Sequence, residues 1–220
     1  MTQNTERTLC LVRPPAPLPY SEALVLQKDL VTRRAADTCA DTLVLLQHPS
    51  VITLGRNADP AGVLATKAQL GAAGVAVVRV ERGGQATYHG PGQWVGYPIV
   101  HLRQRSLGVR RYVTALEEVL LQTCEHFGVA AQRQLGRPGL FTGLGKIAAI
   151  GVAVRHGVSF HGFALNVCPD LSHFRWIVPC GLTDTPPTSL EQERGEAPNT
   201  EEVAQVLIGA FRAVFDNSAG

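Results

Sequence analysis

Cys180 stands between Pro179 and Gly181, in a stretch with loop chemistry where a thiol is accessible and the glycine leaves room for a substrate and for backbone N–H donors. It is one of five cysteines, at positions 10, 39, 124, 168 and 180, and no two form a CxxC pair. An odd, scattered set argues against a disulfide framework and a zinc knuckle, and leaves open one chemically special thiol. Cys10 and Cys124 read instead as parts of regular apolar elements. Lys146 opens an otherwise apolar strand, Lys146-Ile147-Ala148-Ala149-Ile150-Gly151, and is one of only three lysines. Such a lysine is either an edge residue that snorkels to water or a partly desolvated amine that acts as a base or ion-pair partner. An accessible thiol elsewhere in the chain favours the second reading.

The segment Arg82-Gly83-Gly84-Gln85-Ala86-Thr87-Tyr88-His89-Gly90-Pro91-Gly92-Gln93 packs four glycines among side chains that donate and accept hydrogen bonds. A ligand can lie directly on glycine backbone, with Thr87 and His89 orienting its polar end. A tight pair of β-turns is the other reading. No Gly-Lys-Ser/Thr follows, so phosphate cradling is not indicated. His89 and His161 could join Cys180 at a metal, but each is isolated on a different element and the spacing gives no support. No metal is expected. His161, in Phe160-His161-Gly162-Phe163, is a candidate for substrate contact because Gly162 opens space beside it.

The elements that must hold these groups are legible as hydrophobic patterns. A strand is expected at Thr8–Val12, then an extended proline-rich stretch, then a helix capped by Ser21 and running to about Arg34. Thr42–Gln47 and Val51–Leu54 read as a hairpin about His48-Pro49-Ser50. Val75–Val80 and Trp94–Val100 are further strands. Tyr112, Leu116, Val119, Leu120 and Phe127 repeat at helical spacing before a capping Gly128. Lys146–Val154 and Val158–Val167 form a hairpin about Arg155-His156-Gly157. Asn199 and Glu202 open a last helix with Val203, Val206, Leu207, Phe211 and Val214 as its buried stripe. Hairpins interspersed with three helices give an α/β or α+β sandwich with a mixed, largely antiparallel sheet flanked by helices.

Two hundred and twenty residues without a linker, repeat or low-complexity tract suit a single domain, 1–220. Twenty basic and 18 acidic residues leave a net charge of +2, so no global field suits nucleic acid and a charged partner must meet a local patch. The longest charge-free stretch, Gly83–Leu102, is too broken by glycine and proline to span a membrane. With no apolar segment of signal-peptide type, a cytoplasmic chain with reduced cysteines is expected.

The ordered set of the glycine-rich segment, Lys146-Ile147-Ala148-Ala149-Ile150-Gly151, His161-Gly162-Phe163-Ala164-Leu165-Asn166-Val167 and Pro179-Cys180-Gly181 resembles the lipoyl(octanoyl) transferases, the octanoyl-[acyl-carrier-protein]:protein N-octanoyltransferases. Gln47-His48-Pro49-Ser50-Val51-Ile52-Thr53-Leu54-Gly55-Arg56 is similar to theirs too. The match runs from about residue 43 to 183; Gly139–Gly145 lacks a tryptophan expected there, and the tail after Asp184 carries no placeable motif. The resemblance implies a fold like the biotin/lipoate ligase catalytic domain and a two-step acyl transfer. Cys180 attacks the thioester of octanoyl-acyl carrier protein, and a lysine of a lipoyl domain, from a 2-oxoacid dehydrogenase or the glycine cleavage H protein, then takes the octanoyl group from Cys180. Lys146 is the base, and no cofactor is needed. Substrate contacts are expected from Arg82, Gly83, Gly84, Gln85, Ala86, Thr87, Tyr88, His89, Ala149, Ile150, Gly151, His161, Gly162 and Phe163, with oxyanion donors near Gly181 or in the Gly83-Gly84 loop. A monomer suffices.

Arg103, Arg105, Arg110 and Arg111 oppose the dipole of the helix they precede, which suits docking of an acidic carrier protein; a solvated arginine face is the alternative. Two other functions stay open: an ATP-dependent lipoate or biotin ligase, which needs no catalytic thiol, and a non-catalytic module that binds acyl groups or carrier protein.

Overall fold

The computed structural model describes residues 9–15, 17–178 and 185–216. Its elements are β1 (Cys10–Val12), α1 (Tyr20–Ala35), β2 (Thr42–Leu46), β3 (Val51–Leu54), α2 (Lys67–Ala72), β4 (Ala76–Arg79), β5 (Ala86–His89), β6 (Gln93–Ile99), α3 (Val109–His126), β7 (Gln132–Gln134), β8 (Arg137–Phe141), β9 (Lys146–Arg155), β10 (Val158–Asn166), α4 (Leu190–Arg194) and α5 (Thr200–Asp216). A seven-stranded sheet has the order β1-β2-β6-β10-β9-β8-β7, and a three-stranded sheet the order β4-β3-β5. Both are mixed: the large sheet is antiparallel except for β1–β2, and the small one has one parallel ladder, β3–β4, and one antiparallel, β3–β5.

Strand alternation assigns the two faces of the large sheet. Leu43 and Leu45 of β2 join Phe163 and Leu165 of β10 in a core beneath α3 and α5, with Tyr112, Leu116, Leu207 and Phe211. Val44 and Leu46 face the other way, with Val95, Tyr97, Phe160 and Ala164, against Tyr20, Ala23, Leu30 and Val31 of α1. Both faces are covered, so β2 and β10 are buried along their whole length, and β2 reads as an apolar run after Thr42.

Three expectations are corrected. The segments Thr42–Gln47 and Val51–Leu54 do not form a hairpin: β2 pairs with β1 and β6, whereas β3 pairs with β4 and β5 in the other sheet. The connection through His48-Pro49-Ser50 is short enough for a hairpin, but both strands are buried, and each finds its partners elsewhere. Ser21 does not cap α1; Pro19 occupies that position without a side-chain cap, its fixed φ of −53° suiting the turn into the helix. Cys10 lies on an edge strand and is exposed, whereas Cys124 is buried. The cap by Asn199 forms, its side chain accepting from the N–H groups of Glu201 and Glu202.

The two sheets are joined at Gly92, whose carbonyl accepts from the N–H groups of Val167 and Cys168. Its own N–H donates to Gln47. A Cβ on Gly92 would sit 2.5 Å from the Cys168 carbonyl oxygen, so only glycine lets these segments meet.

Candidate active site

Two adjoining clefts lie over β9 and β10, walled by β5 and sharing Thr87, Ala149 and Ala164. The outer one, about 480 Å³ with its open mouth, carries Lys146, Gln93, Asn166 and Thr185 around Ala148 and Phe174. The inner one, about 450 Å³, is lined by Tyr20, Arg82, Gly84, His89, Tyr97 and His161 among apolar residues. Together they form a slot with an amine at one end and histidines and tyrosines at the other.

Lys146 is fixed by its neighbours in sequence and space. Its N–H donates to Pro186, its carbonyl accepts from Thr188, and Pro187 bridges it in parallel. The returning chain therefore runs beside the lysine, and Thr185 borders the cleft. The Lys146 ammonium sits 5.3 Å from the centre of the Phe141 ring and Arg137 lies over the same ring at 4.7 Å. Lys146 Cε lies where a Cβ on Gly139 would come within 2.9 Å, and Gly139 has φ +118°. Gly139 thus opens the lane along which the amine extends.

Arg82 is buried, its Nη2 donating to both oxygens of Thr53 at 2.8 Å. Gly151 makes room for its stem: a Cβ there would meet Arg82 Cδ at 3.1 Å. The Gly83 N–H donates to the Val152 carbonyl at 3.0 Å and so binds the loop to β9. It is therefore not available as the oxyanion donor expected of it.

The glycine-rich segment is half strand. In β5, Thr87 and His89 face the slot, while Ala86 and Tyr88 face the core between the small sheet and the turn at Leu171–Trp176, as the period of two requires. The Tyr88 hydroxyl bonds to Ser50 and His173, and Gln85 and Ala86 border a separate cavity with Asp59 and Val178. Gln85, Ala86 and Tyr88 thus lie away from the slot expected for them. Ala149, Ile150, Gly151, His161, Gly162 and Phe163 border it, although the Phe163 ring packs over Gly96 into the core beneath α3 and α5.

His161 reaches the slot by an unexpected route. Alternation places it with Phe163 and Leu165 on the α3 side. Its backbone is left-handed, φ +54°, and turns the ring toward α1, where its Nδ1 lies 3.3 Å from the Tyr20 hydroxyl and its N–H donates to Gln27. Such strain in a non-glycine residue is characteristic of functional positions. Gly162 does not open space, as expected; its absent side chain lets β6 approach, since a Cβ would meet the Gly96 oxygen at 2.2 Å and Pro98 Cδ at 2.6 Å. Pro98 has no N–H for the ladder, which explains why β10 pairs with β6 only from Phe163 onward.

Sequence reasoning missed Tyr20, Gln93, Tyr97, Asn166 and Gly139. The polar residues carried one signal, a hydrogen-bonding group inside an apolar stretch. Asn166 donates to the Thr188 carbonyl and accepts from Gln93, whose own oxygen accepts from His89 Nδ1 at 2.7 Å. Burial pushes His89 and His161 down to about 3 and His48 to about 4, so all three are neutral near pH 7. Cys180 and Gly181 lie outside the described residues. Among the described residues, no group of three or more histidine, cysteine or acidic side chains could hold a metal. None of their helices is long and apolar enough to cross a membrane.

Residues 19–212 match the lipoyl protein ligase A/B catalytic domain, and the chain belongs to that family. Relatives include an octanoyltransferase of Alkaliphilus metalliredigens, 44% identical over 90% of this chain and 91% of its own. Another, of Chloroflexus aurantiacus, is 48% identical over 89% of each chain. Among solved structures, a putative lipoate protein ligase of T. acidophilum with bound lipoic acid superposes with TM-score 0.69 at 17% identity, covering 94% of this chain and 84% of that one. A biotin protein ligase mutant of Aquifex aeolicus gives 0.51 at 10%, covering 96% and 71%. These two likenesses show the shared fold.

Proposed function

We propose that the chain transfers an octanoyl group from octanoyl-acyl carrier protein to a lysine of lipoyl domains, through a thioester on Cys180. The observation that carries the reading is the placement of Lys146 at the mouth of a slot floored by Ala148, Ala149 and Ala164, a surface suited to an alkyl chain. Lys146 takes the thiol proton in the first step and returns it to the carrier's sulfur as that thiol leaves; the same amine then takes a proton from the incoming lysine as the amide forms and returns it to the departing Cys180 sulfur. Thr185, which borders the same cleft, is five residues from Cys180 in the sequence, and the reading requires the thiol to meet the amine there. Burial of the alkyl chain contributes about 0.8 kcal/mol per CH₂, several kcal/mol in all. The acceptors are lipoyl domains of 2-oxoacid dehydrogenases and the glycine cleavage H protein, and the enzyme acts as a single-domain cytoplasmic monomer without a cofactor.

Intact-protein mass measurement after mixing with octanoyl-carrier protein tests this. One octanoyl group is expected on Cys180, absent in Cys180→Ser and slowed in Lys146→Ala. No adduct on the unaltered protein would overturn the reading. Full activity of Cys180→Ser with ATP present would establish an adenylating ligase instead.

A further inference from the structure

The inner end of the slot carries a polarity that a plain alkyl chain leaves unused. His48 Nδ1 lies 2.6 Å from the Leu18 carbonyl, which can only accept, so that nitrogen carries the proton. With His48 neutral, its Nε2 is an acceptor and takes the Tyr97 hydroxyl proton at 2.7 Å. The Tyr20 hydroxyl borders the same cleft and lies 3.3 Å from His161 Nδ1. That contact occupies one ring nitrogen of His161 and leaves Nε2 as its second hydrogen-bonding atom. That residue is 1% exposed and borders the inner cleft, and among the described residues its Nε2 has no hydrogen-bond partner.

The position of this nitrogen matters as much as its polarity. Lys146 Cε lies over Gly139, which is paired with Ala149, and His161 is paired with Val152. Ala149 and Val152 are three residues apart on β9, about 10 Å along the strand. An extended eight-carbon chain covers such a span, so its last carbon arrives at His161.

We propose that His161 Nε2 is a subsite for a hydrogen-bonding group at the far end of the acyl chain, and that eight-carbon thioesters with a terminal hydroxyl, which both donates and accepts, are substrates alongside the unsubstituted chain. The inference rests on the octanoyl-transfer reading above. A purely apolar slot would reject such a chain, because its hydroxyl would be buried without a partner, at a typical cost of about 10- to 100-fold in kcat/KM.

The test compares octanoyl and 8-hydroxyoctanoyl thioesters on the same carrier protein, with an unmodified lipoyl domain as acceptor. The readout is the ratio of their kcat/KM values, in which any general loss of active protein cancels. In the unaltered protein the hydroxylated chain is expected within about fivefold of octanoyl. In His161→Asn, which tolerates the left-handed backbone, the ratio is expected to fall by about 10-fold or more. A ratio below one fifth in the unaltered protein, or one that His161→Asn does not lower, overturns the proposal. Failure of octanoyl itself to transfer would overturn the functional reading instead.

Discussion

Lys146 extends over Gly139, with its Cε 2.9 Å from where a side chain on that glycine would begin. The amine therefore depends on a missing Cβ one strand away. Gly139→Ala would also push a methyl group to 2.3 Å from the Ala148 carbonyl oxygen, at a backbone angle of φ +118°. A cost of about 1–3 kcal/mol in stability is expected, with a loss of at least tenfold in octanoyl transfer. Thermal unfolding and single-turnover transfer check it; a variant native in both would show that the lane is not needed.

The neutral histidines at the inner end set a pH dependence of stability. His48, His89 and His161 have folded values of about 4, 3 and 3, below the unfolded 6.5. Below pH 6.5 the unfolded chain binds protons that the folded one does not, so stability is full above that pH and falls as acid is added. Each histidine contributes up to about 1.4 kcal/mol per pH unit between 6.5 and its folded value. Urea unfolding at pH 7.5, 6.0 and 5.0 measures the slope, which His161→Asn should make shallower. A flat profile would mean that these rings protonate without cost.

Asp41 joins two elements at the opposite side of the large sheet from β7. Its carboxylate, 4% exposed as a residue, accepts from Arg34 Nε at 2.7 Å and from Arg105 Nε at 2.5 Å. The His101 N–H also donates to it. These donors outweigh its burial and hold its pKa below the usual value. Asp41→Ala leaves two guanidinium groups facing each other, and about 3–5 kcal/mol of stability should be lost. Chemical denaturation measures it directly.

The same ion pair revises the arginine surface expected from the sequence. Arg105 is bound to Asp41 and to the Phe215 carbonyl, and so belongs to the fold rather than to a docking patch. Arg103, Arg110 and Arg111 remain exposed. Arg110→Glu combined with Arg111→Glu is expected to weaken binding of an acidic carrier protein by about tenfold at low salt, less at high salt, with the melting temperature unchanged. Titration at two ionic strengths decides between docking and a merely solvated face; equal affinities would establish the latter.

Sequence patterning revealed the long elements well because each has its own internal signal. The stripe of α3 ends at Gly128, and β9 and β10 are long, mainly apolar strands about a tight turn. What it could not supply was partnership and orientation. β2 and β3 look like neighbours, yet nothing in two fully buried strands states which sheet each joins. Alternation gave the correct faces for Thr87 and Tyr88 once β5 was known to be a strand, but gave the wrong face for His161. A single positive φ reverses a side chain, and no periodicity in the sequence reports it. Arg105 and Arg110 are chemically alike in the sequence; a carboxylate more than sixty positions away separates their roles.

The meeting of the two sheets at Gly92 has a consequence for how such a slot can be reshaped. Gln47, Val167 and Cys168 all grip one residue that cannot accept a side chain, so the wall formed by β5 has little freedom to shift against the floor. Width is then a matter of side-chain volume at Ala149 and Ala164, the two floor residues common to both clefts. Alanine is already the smallest side chain available there, so the passage can be narrowed by single substitutions far more readily than it can be broadened.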